Sequence, residues 1–369
     1  MNKQESETDI FFLDVAYWKY LSYREKNNSR GPLKFGIGLP LNNAFQKANV
    51  SCVHFYANDL KTQIDWLNRN LILEKRIKGI LFDNLQRNIF GNNSKPGKIY
   101  SYSIGLYVVL KQIQYFRPKV VWCFDPKNLP PRFIYEIKKL GCKLIGHISS
   151  NLPKSYWLEQ YDLLLSSHPE FVKNWNLQGY KSKLFKPFYD VEKIRYVPWK
   201  DRFHDLVFLG SNSKDHTLRL SQLEEISKHH QIEIYGSGFE KVESFYNLKK
   251  YVRGEIWGDD VYSLYQSTKI AFNSHINLAK GFSANVRMIE AAGSGAVLLT
   301  ERTDNLNQYF QDDEAVSYAS IPEAIESIDF LKKNELEASK IARKGQIRVE
   351  KNHTSQNRVN EFKDTILNL

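Results

Sequence analysis

The stretch 285–300, NVRMIEAAGSGAVLLT, constrains the fold more than any other part of the chain. Val286, Ile289 and Glu290 fall at spacings that share one side of a helix. Ala291, Ala292 and Gly293 strip that helix of side-chain bulk, so that another backbone or a ligand can approach. Gly295 ends the helix, and 296–299 is a short apolar run suited to a parallel strand covered on both faces. A carboxylate at Glu290 can accept two hydrogen bonds from a ribose diol, and the N–H groups of Ser283, Ala284, Asn285, Val286 and Arg287 at the helix start can meet a diphosphate. The spacing alone is equally compatible with an ordinary helix-to-strand unit carrying a solvated Glu290.

The rest of the chain repeats this α/β rhythm. In the first half, apolar runs at 10–15 and 50–55 flank a helical stretch at 41–48. An amphipathic helix over 101–116 is stopped by Pro118, and 120–124 follows as a strand with Asp125 at its carboxyl end. A helix at 132–140 and strands at 143–147 and 163–166 complete the half. Ligands of open parallel sheets bind beyond the carboxyl ends of the strands, which singles out Asp14, Asp125, His147 and Ser149. Residues 187–204 lose periodicity and suit a connection.

The second half restarts with a strand running into Gly210, Ser211 and Asn212, then a helix at 217–228 and a strand with its own glycine turn at 232–238. The strand at 270–273 leads into the opening segment, and helices at 321–332, 335–350 and 356–369 close the chain. Gly210 and Ser211 have the form of a turn that lets backbone approach a phosphate, although many α/β connections use such a glycine. The expected domains are therefore 1–190 and 205–355, joined by 191–204, with 356–369 as a helix crossing back to the first.

At 369 residues the chain exceeds a single core of ordinary size. Its 42% hydrophobic and 25% charged residues describe a globular protein, and no apolar run reaches the roughly 18 residues of a membrane span. The polar, acidic start lacks the features of a signal peptide, so a cytoplasmic location is expected. Cys52, Cys123 and Cys142 are scattered in apolar segments, as reduced core thiols would be. A net charge of +11 points to an anionic partner: a nucleotide, or an anionic membrane face touched peripherally. Nucleic acid is not expected, because no zinc-finger or RNA-recognition signature is present. Asp259-Asp260 and Asp312-Asp313 are neighbours in sequence whose side chains point apart on a helix, so no metal site is expected.

In order, the motifs of the second half resemble the nucleotide-binding domain of two-domain glycosyltransferases of the GT-B fold, most closely the group similar to spore maturation protein CgeB. The matching features are the strand into Gly210-Ser211, the strand into Gly236-Ser237-Gly238, the loop 253–258, the strand ending at Asn273-Ser274-His275, and Asn285, Arg287, Glu290, Ala291 and Gly295. The first half matches in strand rhythm and in the stretch 161–169. The resemblance implies an α/β fold of two Rossmann-like domains facing a cleft, with the last helix packing back on the first domain. It implies a nucleotide sugar as donor substrate, no separate cofactor, and a glycan, lipid-linked or protein acceptor. It further implies that Glu290 holds the ribose, that Ser283, Ala284 and Asn285 offer amides to the diphosphate, and that Arg253 and Trp257 line the base. Arg287 is suited to phosphate because a guanidinium stays protonated and donates in bidentate fashion. His275 is placed to bond sugar or diphosphate, and Arg219 and Lys214 are lesser phosphate candidates. Many retaining members carry a second glutamate where this chain has Phe282, so the stereochemical outcome stays open.

Glycosyl transfer needs stabilisation of the departing diphosphate and a base for the acceptor hydroxyl. The first half must supply that base, from Asp14, Asp125 or His147. A nucleotide-sugar epimerase of the same fold and a non-catalytic binding protein are the alternatives.

Overall fold

The computed structural model describes residues 8–16, 18–27, 36–70, 95–124, 126, 129–150, 155–212, 218–239, 246–275 and 281–369. Two compact units emerge. The first comprises Met1–Ile148, Leu152–Leu165 and Lys363–Leu369; the second comprises Ser149–Asn151 and Ser166–Phe362.

In the first half the order is β1 (Ile10–Asp14), α1 (Trp18–Lys26), α2 (Gly38–Lys47), β2 (Cys52–Tyr56), α3 (Leu60–Asn70), α4 (Lys95–Phe116), β3 (Val120–Phe124), α5 (Pro131–Lys139), β4 (Lys143–His147), β5 (Leu163–Ser166), α6 (Pro169–Leu177) and β6 (Ser182–Leu184). The sheet order is β2-β1-β3-β4-β5-β6. β1 pairs in parallel with β2 and β3, β3 with β4, and β4 with β5. All five residues of β1 and of β3 are buried, as strands covered on both faces must be. Phe12 and Trp122 pack ring against ring, with centroids 5.4 Å apart, at the centre of this sheet. The last residues of the chain cluster here, where Lys363 Nζ donates to the Ala48 carbonyl at 2.9 Å.

The second half runs β7 (His204–Leu209), α7 (Arg219–His229), β8 (Glu233–Tyr235), α8 (Tyr246–Lys249), β9 (Val252–Gly254), α9 (Asp259–Gln266), β10 (Thr268–Asn273), α10 (Val286–Gly293), β11 (Val297–Glu301), β12 (Val316–Tyr318), α11 (Ile321–Lys333), α12 (Glu335–Asn352) and α13 (Ser355–Leu367). Its parallel sheet has the order β12-β11-β10-β7-β8-β9. The chain moves outward from β7 to β9, then returns to build on the other side of β7. The order therefore reverses between β7 and β10, and both strands end at the same edge. Alternate residues feed two cores: Leu206, Phe208, Ile270, Phe272, Val297 and Leu299 on one face, and Leu209, Ala271 and Leu298 on the other. Met288 and Ile289 of α10 belong to the second core.

The connection through 187–204 contains two short 3-10 turns and one firm anchor. Tyr189 is fully buried, its amide donates to the His353 carbonyl at 2.7 Å, and its carbonyl accepts from Ser355 at 2.9 Å.

Candidate functional site

Helix α10 is fixed at both ends by its own sequence. Asn285 is the N-cap, accepting the Met288 amide on Oδ1 at 3.1 Å. At the other end Gly295 adopts φ +79°. Its amide reaches Ala292 O at 2.8 Å and the Ala296 amide reaches Ala291 O at 3.1 Å, the paired bonds of a Schellman motif. Arg202 completes the cap: its guanidinium donates to the carbonyls of Ser294, Val197, Tyr265 and Thr268. Burial lowers its pKa to about 10, which still leaves it charged. The small residues of α10 serve packing. A Cβ on Gly293 would come within 2.4 Å of the Tyr189 ring, and Ala292 faces Gly345 of α12.

At the reversal between β7 and β10, three loops are drawn together by backbone contact. Gly210 donates to Tyr235 O at 3.0 Å, Asn212 to Ser237 O at 2.7 Å, and Gly236 to Gly254 O at 2.8 Å. Gly236 has φ +137°, and a Cβ there would lie 1.9 Å from Gly210 O; Gly238 has φ +87° and would meet Asn212 O at 2.0 Å. Only glycine satisfies both demands. Arg219, the first residue of α7 and nearly fully buried, spans the reversal: its guanidinium donates to Ser211 O after β7 and to Ser274 O after β10, the latter at 2.9 Å.

His275 organises the next loop. Asn285 Nδ2 donates to His275 Nδ1 and to Asn273 Oδ1, each at 3.1 Å. That leaves Nε2 as the protonated nitrogen, 3.4 Å from both Ser283 Oγ and Thr300 Oγ1. Burial pushes the imidazole down to about 4, opposed by Glu301 and reinforced by Arg219, so the ring is neutral at physiological pH. Glu301 accepts the His275 amide at 2.8 Å, Gln222 Nε2 at 3.1 Å and Ser274 Oγ at 3.3 Å. The Ser283 amide, expected to meet a diphosphate, is instead taken by Asn305 Oδ1 at 2.6 Å. Ala284 is buried beside it. A cavity of about 930 Å³ opens along this edge, lined in part by Arg219, Ser274, His275, Glu301 and Thr303.

Glu290 lies one turn further along α10 and is 8% exposed. Arg287 Nη1 donates to its Oε2 at 2.5 Å. Burial raises the Glu290 pKa while the guanidinium pulls it back. Near this pair on α9, Tyr265 is buried and Tyr262 half-buried, their hydroxyls held well above the usual tyrosine range by desolvation and by the Glu290 charge, with Arg287 opposing. Arg253 lies on β9 and Trp257 in the loop after it. Arg253 pairs with Glu233 at 3.6 Å and Trp257 Nε1 donates to Glu255 at 3.2 Å. Of the acid pairs, Asp259 binds Lys193 and Asp313 binds Lys344, each at 2.7 Å. Among the described residues no cluster of three His, Cys, Asp or Glu side chains could hold a metal ion.

In the first unit Asp14 ends β1 and His54 lies beside it on β2, with Nε2 3.4 Å from Asp14 Oδ2. The other Asp14 oxygen accepts the Val15 amide at 3.1 Å. Gly38 seals the pair: a Cβ there would fall 2.7 Å from both Asp14 Oδ2 and His54 Nε2. The sequence reading missed His54; the signal was the second strand's polar residue in register with β1. His147 is buried against the rings of Trp122 and Phe124. Burial lowers its pKa to about 3. Asp125 and Lys214 lie outside the described residues.

Residues 217–364 match the family described as glycosyl transferase-like. No curated protein matches the sequence. Among solved structures, the chain is similar to Anabaena Alr3699/HepE in complex with UDP-glucose, with a TM-score of 0.60 at 10% identity over 98% of this chain and 100% of that one. A glycosyltransferase from Rickettsia africae gives 0.58 at 11% identity over 98% of each chain. Sucrose-phosphate synthase from Thermosynechococcus elongatus gives 0.57 at 10% identity, over 97% and 98%. The chain therefore has the GT-B fold expected from its motifs, and residues 217–364 of it match the glycosyl transferase-like family.

Proposed function

We propose that this protein is a glycosyltransferase, of a branch similar to CgeB, that moves a hexosyl group from a nucleotide sugar to a glycan, lipid-linked or protein acceptor in cell-surface polysaccharide or glycoconjugate synthesis. The observation that carries this reading is the capped start of α10 at the β7/β10 reversal, within the residues that match the family. Parallel α/β sheets bind ligands at such a reversal, and a helix start there suits a diphosphate. Anabaena HepE, which shares the fold at 10% identity, was solved with UDP-glucose, and this supports a nucleoside diphosphate sugar as donor.

In this reading the turn amides around Ala284 and Asn285, with Gly210 and Ser211, hold the diphosphate, and Glu290 takes the ribose hydroxyls on the oxygen not given to Arg287. Arg253 and Trp257 contact the base. Charge on the leaving group is met by N–H donors and Arg287, without a required metal. Asp14, hydrogen-bonded to His54, serves as the acceptor base; its support is that contact itself, since His147 is held neutral among aromatic rings and accepts a proton only at strongly acidic pH. The protein works in the cytoplasm.

A thermal-shift panel with UDP, GDP, dTDP, CMP and ADP tests the donor reading, because a ligand bound only by the folded state raises the melting temperature. A selective rise with one nucleoside diphosphate, followed by acceptor-dependent loss of its sugar conjugate, supports transfer. Turnover of the conjugate without acceptor favours an epimerase, and binding without turnover favours a non-catalytic protein. No shift with any nucleotide overturns the site.

A further inference from the structure

The charge of the chain is divided unevenly. Residues 1–200 carry 31 lysines and arginines against 16 aspartates and glutamates, whereas residues 201–369 carry 21 against 25. The net positive charge therefore resides in the first part. It is densest between residues 111 and 143, where eight basic side chains meet two acidic ones.

Four of these eight lie on two helices, Lys111 on α4 and Arg132, Lys138 and Lys139 on α5. α4 and α5 pack against each other in the first unit, and each carries the same exposed device. Tyr107 is 43% exposed with Lys111 Nζ 5.6 Å from its ring centroid; Tyr135 is 54% exposed with Lys139 Nζ 4.4 Å from its ring. In both helices the lysine follows the tyrosine by four residues, one turn on. Exposed Arg132 and Leu140 adjoin the second pair. Glu136 and Asp162 neutralise Lys139, Lys138 and Lys143 in part, at 3.5, 3.9 and 3.6 Å. Lys111 and Arg132 have no carboxylate partner among the described residues.

An exposed tyrosine whose ring supports an ammonium is amphipathic in the way a lipid headgroup layer selects: the ring lies at the interface and the cation reaches phosphate. The same geometry disfavours a single-stranded nucleic acid, which binds by stacking bases on open aromatic faces, and here lysine covers a face of each ring. We propose that the α4–α5 face of the first unit docks on an anionic lipid bilayer, with Tyr107, Tyr135 and Leu140 at headgroup level and Lys111, Arg132 and Lys139 on lipid phosphates. This docking is independent of the nucleotide site and needs no sugar donor.

The test is co-sedimentation of the full chain with vesicles of phosphatidylcholine alone and of phosphatidylcholine with phosphatidylglycerol. Binding to the anionic vesicles only, weakened by salt, is expected. Arg132→Glu with Lys139→Glu should lower the partition coefficient by at least about fivefold per cation lost. The equal charge change at Lys332→Glu with Lys333→Glu, on α11, should leave it nearly unchanged. Tyr107→Ala with Tyr135→Ala should weaken binding while preserving its salt dependence, with the melting temperature confirming an intact fold. Equal loss from both charge-reversed pairs would show a response to net charge alone and overturn the assignment of this face. Absence of vesicle binding, or tighter binding to a single-stranded oligonucleotide than to anionic vesicles with loss on the same substitutions, would overturn the lipid assignment.

Discussion

Asp14 Oδ2, at the carboxyl end of β1, lies 3.4 Å from His54 Nε2, midway along the adjacent parallel strand β2, and both side chains are 5% exposed. The imidazole holds the carboxylate in one orientation, and a base so held transfers a proton at lower entropic cost. Asp14→Asn and His54→Ala should each lower kcat for transfer, Asp14→Asn by ~10²-fold or more, while leaving nucleotide affinity within a factor of about two. Steady-state kinetics with a separate nucleotide titration checks this split. Equal losses in affinity and turnover would assign the pair to folding instead.

Glu290 and Arg287 form a partly buried pair one turn inside α10. Glu290→Ala should weaken nucleoside diphosphate binding by about 1.5–3 kcal/mol, the worth of hydrogen bonds to a charged group. It also leaves the guanidinium unpaired, so the melting temperature should fall. Glu290→Gln keeps shape and one bond to Arg287, and should restore stability more fully than affinity. Calorimetric titration of all three proteins separates the two effects.

Gly236→Ala should be among the most damaging single changes in the second unit. The new methyl group would meet Gly210 O at 1.9 Å, and φ +137° is unfavourable to any L side chain. We expect a loss of at least about 1–3 kcal/mol in denaturant unfolding, accompanied by loss of nucleotide binding because Gly210 and Ser211 are displaced.

His275 and His353 are both held near pKa 4, chiefly by burial. Each is neutral in the folded chain, whereas an unfolded histidine titrates near 6.5. The folded state thus binds fewer protons, so stability is complete above about pH 6.5 and declines as the pH falls toward 4. Melting temperatures between pH 7.5 and 4.5 should show this decline. His275→Asn should flatten it, and an unchanged slope would remove His275 from the linkage.

Much of the fold was legible because its signals are local. Gly295 stops α10 in the left-handed conformation anticipated for it, and Asn285 caps the helix it precedes. The glycine turns after β7 and β8 stand where the sequence placed them, whereas the reversal between β7 and β10 rests on strand pairing. Other features were not legible, because their causes are distant in sequence. His54 acquires meaning only beside Asp14, 40 residues away, and Arg202 only where four carbonyls from separate elements converge. Gly293 reads as room for another backbone or a ligand, and the space is filled by the Tyr189 ring. His275 reads as a contact for sugar or diphosphate, and both ring nitrogens face side chains of its own unit. Glu290 lay between these cases: spacing placed it on a helix face with Ile289, and only packing against α9 showed that it is buried.

Arg219 gives the donor side its most consequential restraint. By donating to Ser211 O and Ser274 O together, it ties the first residues after β7 to the first residues after β10. A ligand at the proposed donor site would meet backbone at Ser211 and Ser274 that folding has already positioned, so affinity is not diminished by fixing those two points on binding. In the proposed function, selectivity among nucleotides would then rest on fit to those fixed carbonyl positions.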